Sequence, residues 1–206
     1  MAMPTVFIVD DDPGIRSSLS ILMETTQLKA DCFASAEEFL SVCGPHQEGC
    51  LLLDVRMPGM SGPDLQEELT RRKVRLPIIF LTAYADLPTG VTAMKNGAVD
   101  FMTKPINGEL LLQRIQHAVE IDRLQRESEQ ARQLFESRLL KLTDRENEIL
   151  CLALTGMSNR DISTRLKISM RTIEGHRSRI YLKLGVGSLV ELSQQAADAG
   201  VNLPKA

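Results

Sequence analysis

Asp54 ends Gly49-Cys-Leu-Leu-Leu-Asp54, an apolar run of strand length, and the turn-forming stretch Met57-Pro-Gly-Met-Ser-Gly62 follows it at once. A buried parallel strand of this kind delivers its last side chain to the carboxyl edge of a sheet, where open α/β folds place their chemistry. Another strand-like run, Thr5-Val-Phe-Ile-Val9, stops at Asp10-Asp11-Asp12. Two more end at the hydroxyl of Thr82 and at Lys104 before Pro105. Close-packed carboxylates do not all stay ionised without a cation. Hard oxygens suit Mg²⁺, which needs only one or two carboxylates and accepts a phosphoryl oxygen as a further ligand. With Thr82 as a hydrogen-bond donor and Lys104 as a positive charge, Asp10, Asp11 and Asp54 read as a phosphoryl-accepting site.

The elements that must position these residues alternate. Thr5–Val9 is followed by a helix that opens on Asp12-Pro13, an N-cap and a proline at the first helical position, with Ile15, Leu19 and Leu22 at helical spacing. Leu28–Phe33 then reads as a strand, Ser35–Leu40 as a helix, Gly49–Asp54 as a strand and Pro63–Lys73 as a helix. Pro77–Thr82 is a strand, Pro88–Asn96 a helix closed by Gly97, and Val99–Thr103 the fifth strand. Strands and helices alternating at this spacing imply an α/β fold with a five-stranded parallel, doubly wound sheet.

From Ile106 to about Arg138 there is no internal proline, so one long helix is expected, with Leu111, Ile115 and Ala118 packed on the sheet. Its middle, Asp122 to Gln133, is polar and reads as a helical spacer. Residues 143–206 read as an all-α domain of four short helices. Thr143 with Glu146 forms a capping box, and Ile149, Leu150, Ala153 and Leu154 supply a buried stripe. In the third helix, Met170–Leu184, the residues Ile173, His176, Ile180 and Leu184 share one stripe. Arg171, Glu174, Gly175, Ser178 and Arg179 lie on the other side, a helix-turn-helix pattern. The expected division is therefore 1–121, a linker 122–142, and 143–206.

Composition agrees. The 206 residues are 43% hydrophobic and 25% charged, which is globular rather than disordered. Residues 1–121 carry 10 basic and 16 acidic side chains, and residues 143–206 carry 9 and 7, so a net −6 faces a net +2. A basic C-terminal part favours a nucleic-acid partner. Cys32, Cys43, Cys50 and Cys151 have neither zinc-like nor CxxC spacing, so free thiols in a reducing compartment are expected. No basic-then-apolar leader opens the chain and no long apolar segment follows, so a cytoplasmic protein with no membrane contact is the expectation. His46 and His117 have no neighbours that suggest chemistry.

Val9-Asp10-Asp11, Asp54 with Met57-Pro58-Gly59 and Gly62, Thr82-Ala83, and Phe101 with Lys104-Pro105 together resemble the receiver domain of two-component response regulators, with its flavodoxin-like fold, over residues 4–121. Leu142-Thr-Asp-Arg-Glu146, Gly156, Asn159-Arg-Asp-Ile162, Thr172-Ile-Glu-Gly-His176 and Lys183-Leu184 resemble the LuxR-type DNA-binding domain, so the whole chain is similar to the NarL/FixJ subfamily. The resemblance implies that Asp54 accepts a phosphoryl group from a sensor histidine kinase. It implies that Asp10, Asp11, Asp54 and the Arg56 carbonyl hold Mg²⁺, that Thr82 and Lys104 contact the phosphoryl group, and that the Lys-Pro peptide is cis. Thr82 and Phe101 would be the switch pair, Arg56 and Tyr84 would shield the acyl phosphate, and Val91, Met94 and Lys95 would lie on a homodimer face. Such a protein is no enzyme beyond hydrolysis of its own phosphoryl group.

In the third helix, Arg171, Glu174, Ser178 and Arg179 are the expected base-reading residues. Thr172, Arg177 and Lys183 are expected nearer the phosphates of promoter DNA, with Gly175 on the same face. The fourth helix would mediate dimer contacts, and RNA polymerase would be a further partner. Phosphatases and dehalogenases also use an aspartyl nucleophile, but usually carry a second Asp two residues after it. Here that residue is Arg56.

Overall fold

The computed structural model describes residues 3–44, 47–82 and 94–204. It divides into two compact units, Met1–Gln125 and Arg126–Ala206. The first holds β1 (Thr5–Val9), α1 (Pro13–Thr25), β2 (Lys29–Phe33), α2 (Ala36–Val42), β3 (Gly49–Asp54), α3 (Gly62–Arg71), β4 (Ile78–Thr82) and β5 (Asp100–Thr103). The strands form one parallel sheet in the order β2-β1-β3-β4-β5.

β1, β3 and β4 are buried along their whole length, as the continuous apolar runs require when helices cover both faces. Alternate residues divide between the faces. Phe7, Val9, Leu51, Leu53 and Phe80 pack with Phe39, Leu65 and Leu69 from α2 and α3. Val6, Ile8, Leu52, Ile79 and Leu81 pack with Leu19 and Met23 of α1 and with Leu111, Ile115 and Ala118 of the long helix α4 (Gly108–Leu139).

Element ends follow local chemistry. Asp12 accepts from the N–H of Gly14 and Ile15 ahead of α1, Ser35 caps α2, and Ser61 with Asp64 forms a capping box on α3. β4 begins one residue after Pro77, which has no N–H for the ladder, although its carbonyl accepts from Leu51 N–H. α4 begins two residues later than the apolar pattern implied, where the Asn107 side chain accepts from the Leu110 N–H. The expected helix 88–96 lies outside the described residues except at Met94 and Lys95, which are helical, and at Asn96. His46, Ala83, Tyr84 and Val91 also lie outside them.

The polar middle of α4 is not all solvated. Asp122 is only 4% exposed, and its carboxylate accepts from the Gly49 N–H at 2.9 Å, at the amino end of β3.

In the second unit α5 (Asp144–Leu154), α6 (Asn159–Leu166), α7 (Met170–Leu184) and α8 (Leu189–Asp198) enclose one core built on Ile149, Leu150, Ile162, Ile173, Ile180, Leu184 and Leu192. Thr143, Ser158, Ser169 and Ser188 cap the four helices. Phe135 belongs to this core at 4% exposure, with Leu139 and Leu142 packed beside it, so this part of the expected linker contributes side chains to the unit. Among the described residues all four cysteines are free thiols, and no helix is long and apolar enough to cross a membrane.

Candidate functional site

The register of the sheet builds the acid pocket. Val9 is paired with Leu53, so the next residues on the two neighbouring strands, Asp10 and Asp54, emerge side by side at the carboxyl edge. Asp10 is fully buried, Asp54 is 7% exposed and Asp11 is exposed. One carboxylate oxygen from each lies within 4.8 Å of those of the other two.

Lys104 comes from beyond β5, on the far side of β4. Its backbone N–H donates to the Thr82 carbonyl at 2.8 Å, and the Lys104–Pro105 peptide is cis. Its ammonium donates at 2.8 Å to Asp10 Oδ2 and lies 2.8 Å from Asp54 Oδ1. The other Asp10 oxygen accepts from the Asp12 N–H, and Arg16 Nη1 donates to the Asp10 carbonyl at 2.7 Å. Thr82 is fully buried at the end of β4.

Burial raises the Asp54 pKa. Lys104 pulls against that rise, while the charges of Asp10 and Asp11 add to it. Burial opposes the Lys104 ammonium, but its bonds to Asp10 and Asp54 prevail and raise its pKa. Three carboxylates and one ammonium leave the pocket short of positive charge. That deficit and an all-oxygen donor set fit a hard divalent cation such as Mg²⁺.

The loop after Asp54 is held from two sides. The Gly62 N–H donates to the Val55 carbonyl, and a Cβ at Gly62 would lie 2.3 Å from the Asp54 carbonyl and 3.0 Å from the Phe80 ring. Glu37, which the sequence reading passed over, accepts from the Met60 N–H at 3.1 Å. Its pKa is held below the ordinary carboxylate range by the N–H groups of Glu37 itself and Met60. Its only sequence signal was a place in the first turn of a helix. Arg56 is exposed, two residues beyond Asp54. Phe101 is half-buried and paired with Phe80 across the β4–β5 ladder.

In the second unit, Arg171, Thr172, Glu174, Ser178 and Arg179 are exposed along α7, with Gly175 half-buried among them. Ile173, Ile180 and Leu184 are buried on the opposite stripe, with His176 half-buried there. Arg177 and Lys183 are turned back onto the fold instead of joining the exposed face. Arg177 donates to Asn159 Oδ1 and to the Tyr181 hydroxyl, both at 2.6 Å, with its guanidinium 5.6 Å from the Tyr181 ring centre. Lys183 donates to Glu146 Oε2 at 2.6 Å and to the Lys141 carbonyl at 3.0 Å. Asn159, Glu146 and Lys141 lie on other segments, which a helical wheel drawn for α7 does not display, whereas Tyr181 is one turn on along α7 itself.

Residues 6–116 match the family described as response regulator receiver domain, and residues 140–196 the bacterial regulatory proteins of the luxR family. Nodulation protein W of Bradyrhizobium diazoefficiens is 37% identical over 197 residues, covering 96% of this chain and 87% of that protein. Transcriptional regulatory protein TdiR of Thauera aromatica is 40% identical over 188 residues, covering 91% and 83%. Among solved structures, the response regulator StyR superposes with a TM-score of 0.88 at 39% identity, covering 95% of this chain and 99% of StyR. Full-length FixJ from B. japonicum superposes with a TM-score of 0.61 at 33% identity, covering 97% and 98%.

Proposed function

The chain belongs to the two-component response regulators that join a receiver domain to a LuxR-type DNA-binding domain, and on that premise we propose that phosphorylation of Asp54 governs its binding to promoter DNA. The observation that carries this reading is the meeting of Asp10, Asp11, Asp54 and Lys104 at one edge of the sheet.

The Asp54 carboxylate attacks phosphorus in line. An oxygen–phosphorus bond forms as the phosphorus–nitrogen bond to the histidine of a sensor kinase breaks, and the imidazole leaves with the electron pair. Lys104, which bridges Asp10 and Asp54, shifts its charge toward the incoming equatorial oxygens, and the Thr82 hydroxyl donates to one of them. Asp10, Asp11, Asp54 and the Arg56 carbonyl are the residues that would hold Mg²⁺, which when bound neutralises charge on the transferring group. Arg56 shields the acyl phosphate from water, and the same pocket hydrolyses it slowly.

Movement of Thr82 toward the phosphoryl group, with Phe101 following inward, favours the homodimer through the face that carries Met94 and Lys95. On DNA, Arg171, Glu174, Ser178 and Arg179 of α7 read base edges, Thr172 approaches phosphate beside Gly175, and Arg177 and Lys183 support the helix from behind.

The test is labelling with acetyl phosphate and Mg²⁺, followed by selection of duplexes from a randomised pool. Wild type should be labelled once and enrich a palindromic sequence, and Asp54→Asn should not be labelled. Full labelling of Asp54→Asn would overturn the assignment.

A further inference from the structure

The carboxyl end of α7 is held by the end of α4. Arg138 Nη1 donates to the Leu184 carbonyl at 3.2 Å, one of the last-turn carbonyls that have no partner within their own helix. In return Lys183 donates to the Lys141 carbonyl at 3.0 Å. The Arg138 guanidinium lies over Gly185, where a Cβ would meet Nη1 at 3.3 Å. Gly185 caps α7 in the left-handed region at φ 72°. One turn before Arg138, Phe135 is buried in the core that also holds Ile173, Ile180 and Leu184. The contact is thus reciprocal, places a cation where the helix dipole is negative, and is anchored by an aromatic ring.

We infer that Arg138, although it precedes the four-helix domain, is a positioning residue for DNA binding that fixes the carboxyl end of the recognition helix. The inference rests on α7 being the DNA-contacting helix. Arg138 acts through the Leu184 carbonyl, which takes one of its five N–H donors, and a phosphate contact by the others is the alternative that the salt series tests. The nearest comparable cation on the same helix is Arg132, which pairs with Glu136 at 3.4 Å. It carries the same charge and serves as the matched control.

The experiment uses the full chain and the duplex that wild type selects from a randomised pool. Affinity is measured by fluorescence anisotropy over a series of salt concentrations, and folding is checked by circular dichroism. Arg138→Ala should weaken binding about fivefold, as expected if the loosened α7 holds its binding pose roughly a fifth of the time, with the slope of log affinity against log salt unchanged. Arg138→Lys, which keeps a charged donor, should recover most of the loss, and Arg132→Ala should bind as wild type.

A slope reduced by about one in Arg138→Ala would make Arg138 a phosphate contact and overturn the inference. Equal losses in Arg132→Ala and Arg138→Ala would also overturn it, as would no loss in either. If Arg138→Ala loses helix content, Arg138→Lys decides the matter: folded with near-normal binding supports the inference, folded with the full loss refutes it. Failure of wild type to select any duplex removes the DNA-binding reading itself, and the inference falls with it.

Discussion

Replacing Asp54 by Asn removes one of three carboxylates gathered within 4.8 Å, yet leaves an oxygen for the Lys104 ammonium now 2.8 Å away. At an effective dielectric of ~20, each neighbouring carboxylate opposes an ionised Asp54 by about 3.5 kcal/mol at that outer distance, and Lys104 favours it by about 6 kcal/mol. The balance of about 1 kcal/mol against the ion adds to the cost of withdrawing it from water. Asp54→Asn should therefore stabilise the metal-free N-terminal unit by roughly 1–2 kcal/mol near neutral pH.

The raised Asp54 pKa sets the pH dependence. Between its unfolded and folded values the folded state binds more protons, so this contribution is full below the unfolded pKa and is lost as pH rises through the folded one. The advantage of the Asn variant should shrink as pH is lowered from neutral toward the ordinary carboxylate range. Urea unfolding read by pulsed hydrogen exchange of β1 and β3 peptides reports this unit alone. Added Mg²⁺ should narrow or reverse the gap, because a cation bound only by the folded state stabilises it by mass action. An Asn variant less stable than wild type in chelator, or a gap indifferent to pH, would refute the reasoning.

Glu146→Gln breaks the 2.6 Å pair with Lys183 and should cost the C-terminal unit about 1–2 kcal/mol by urea unfolding at neutral pH, discounted because Lys183 is partly solvated. Burial pushes the Glu146 pKa up, but Lys183 and Thr143 hold it below normal, so its stabilisation is present above the unfolded pKa and fades as pH falls through the folded value. Gly62→Ala drives a methyl against the Asp54 carbonyl and should destabilise the N-terminal unit by about 1–3 kcal/mol and slow labelling by acetyl phosphate, with unfolding and labelling measured in parallel. Burial and, less, the Asp122 charge push the Cys50 thiol up to about 12, so a disulfide reagent at mildly alkaline pH should label exposed Cys32 and spare Cys50, as peptide mapping would read.

Much of the N-terminal site was legible because its residues sit at the ends of apolar runs. A strand buried on both faces leaves a continuous hydrophobic signature, and the residue that breaks it marks the sheet edge. Asp10, Asp54 and Thr82 each end such a run, whereas Lys104 follows the edge strand β5, in which only Met102 is buried. Glu37 and Asp122 were not legible in this way, because each accepts from a backbone N–H of a distant segment, and Arg16 was not because it serves the site only through the Asp10 carbonyl. A Gly49 N–H that needs a carboxylate 73 residues away leaves no trace in local composition. Asp122 therefore looked like part of a solvated spacer.

In the second unit the capping boxes at Thr143–Glu146 and Ser158–Asp161 and the apolar stripe of α7 are local patterns, and they determined the helices and their inward faces. Helical periodicity separates inside from outside, but it does not say which outward cation is free. Only the tertiary structure decided that Arg177 and Lys183 are spent on Asn159, Tyr181, Glu146 and Lys141, while Arg171 and Arg179 stay exposed. It also decided that the long helix contributes Phe135 and Arg138 to the C-terminal unit. The physical reason is the reach of each signal: caps and stripes come from neighbours within a turn or two, whereas the destination of a long charged side chain depends on what folding brings within 3 Å or so of it.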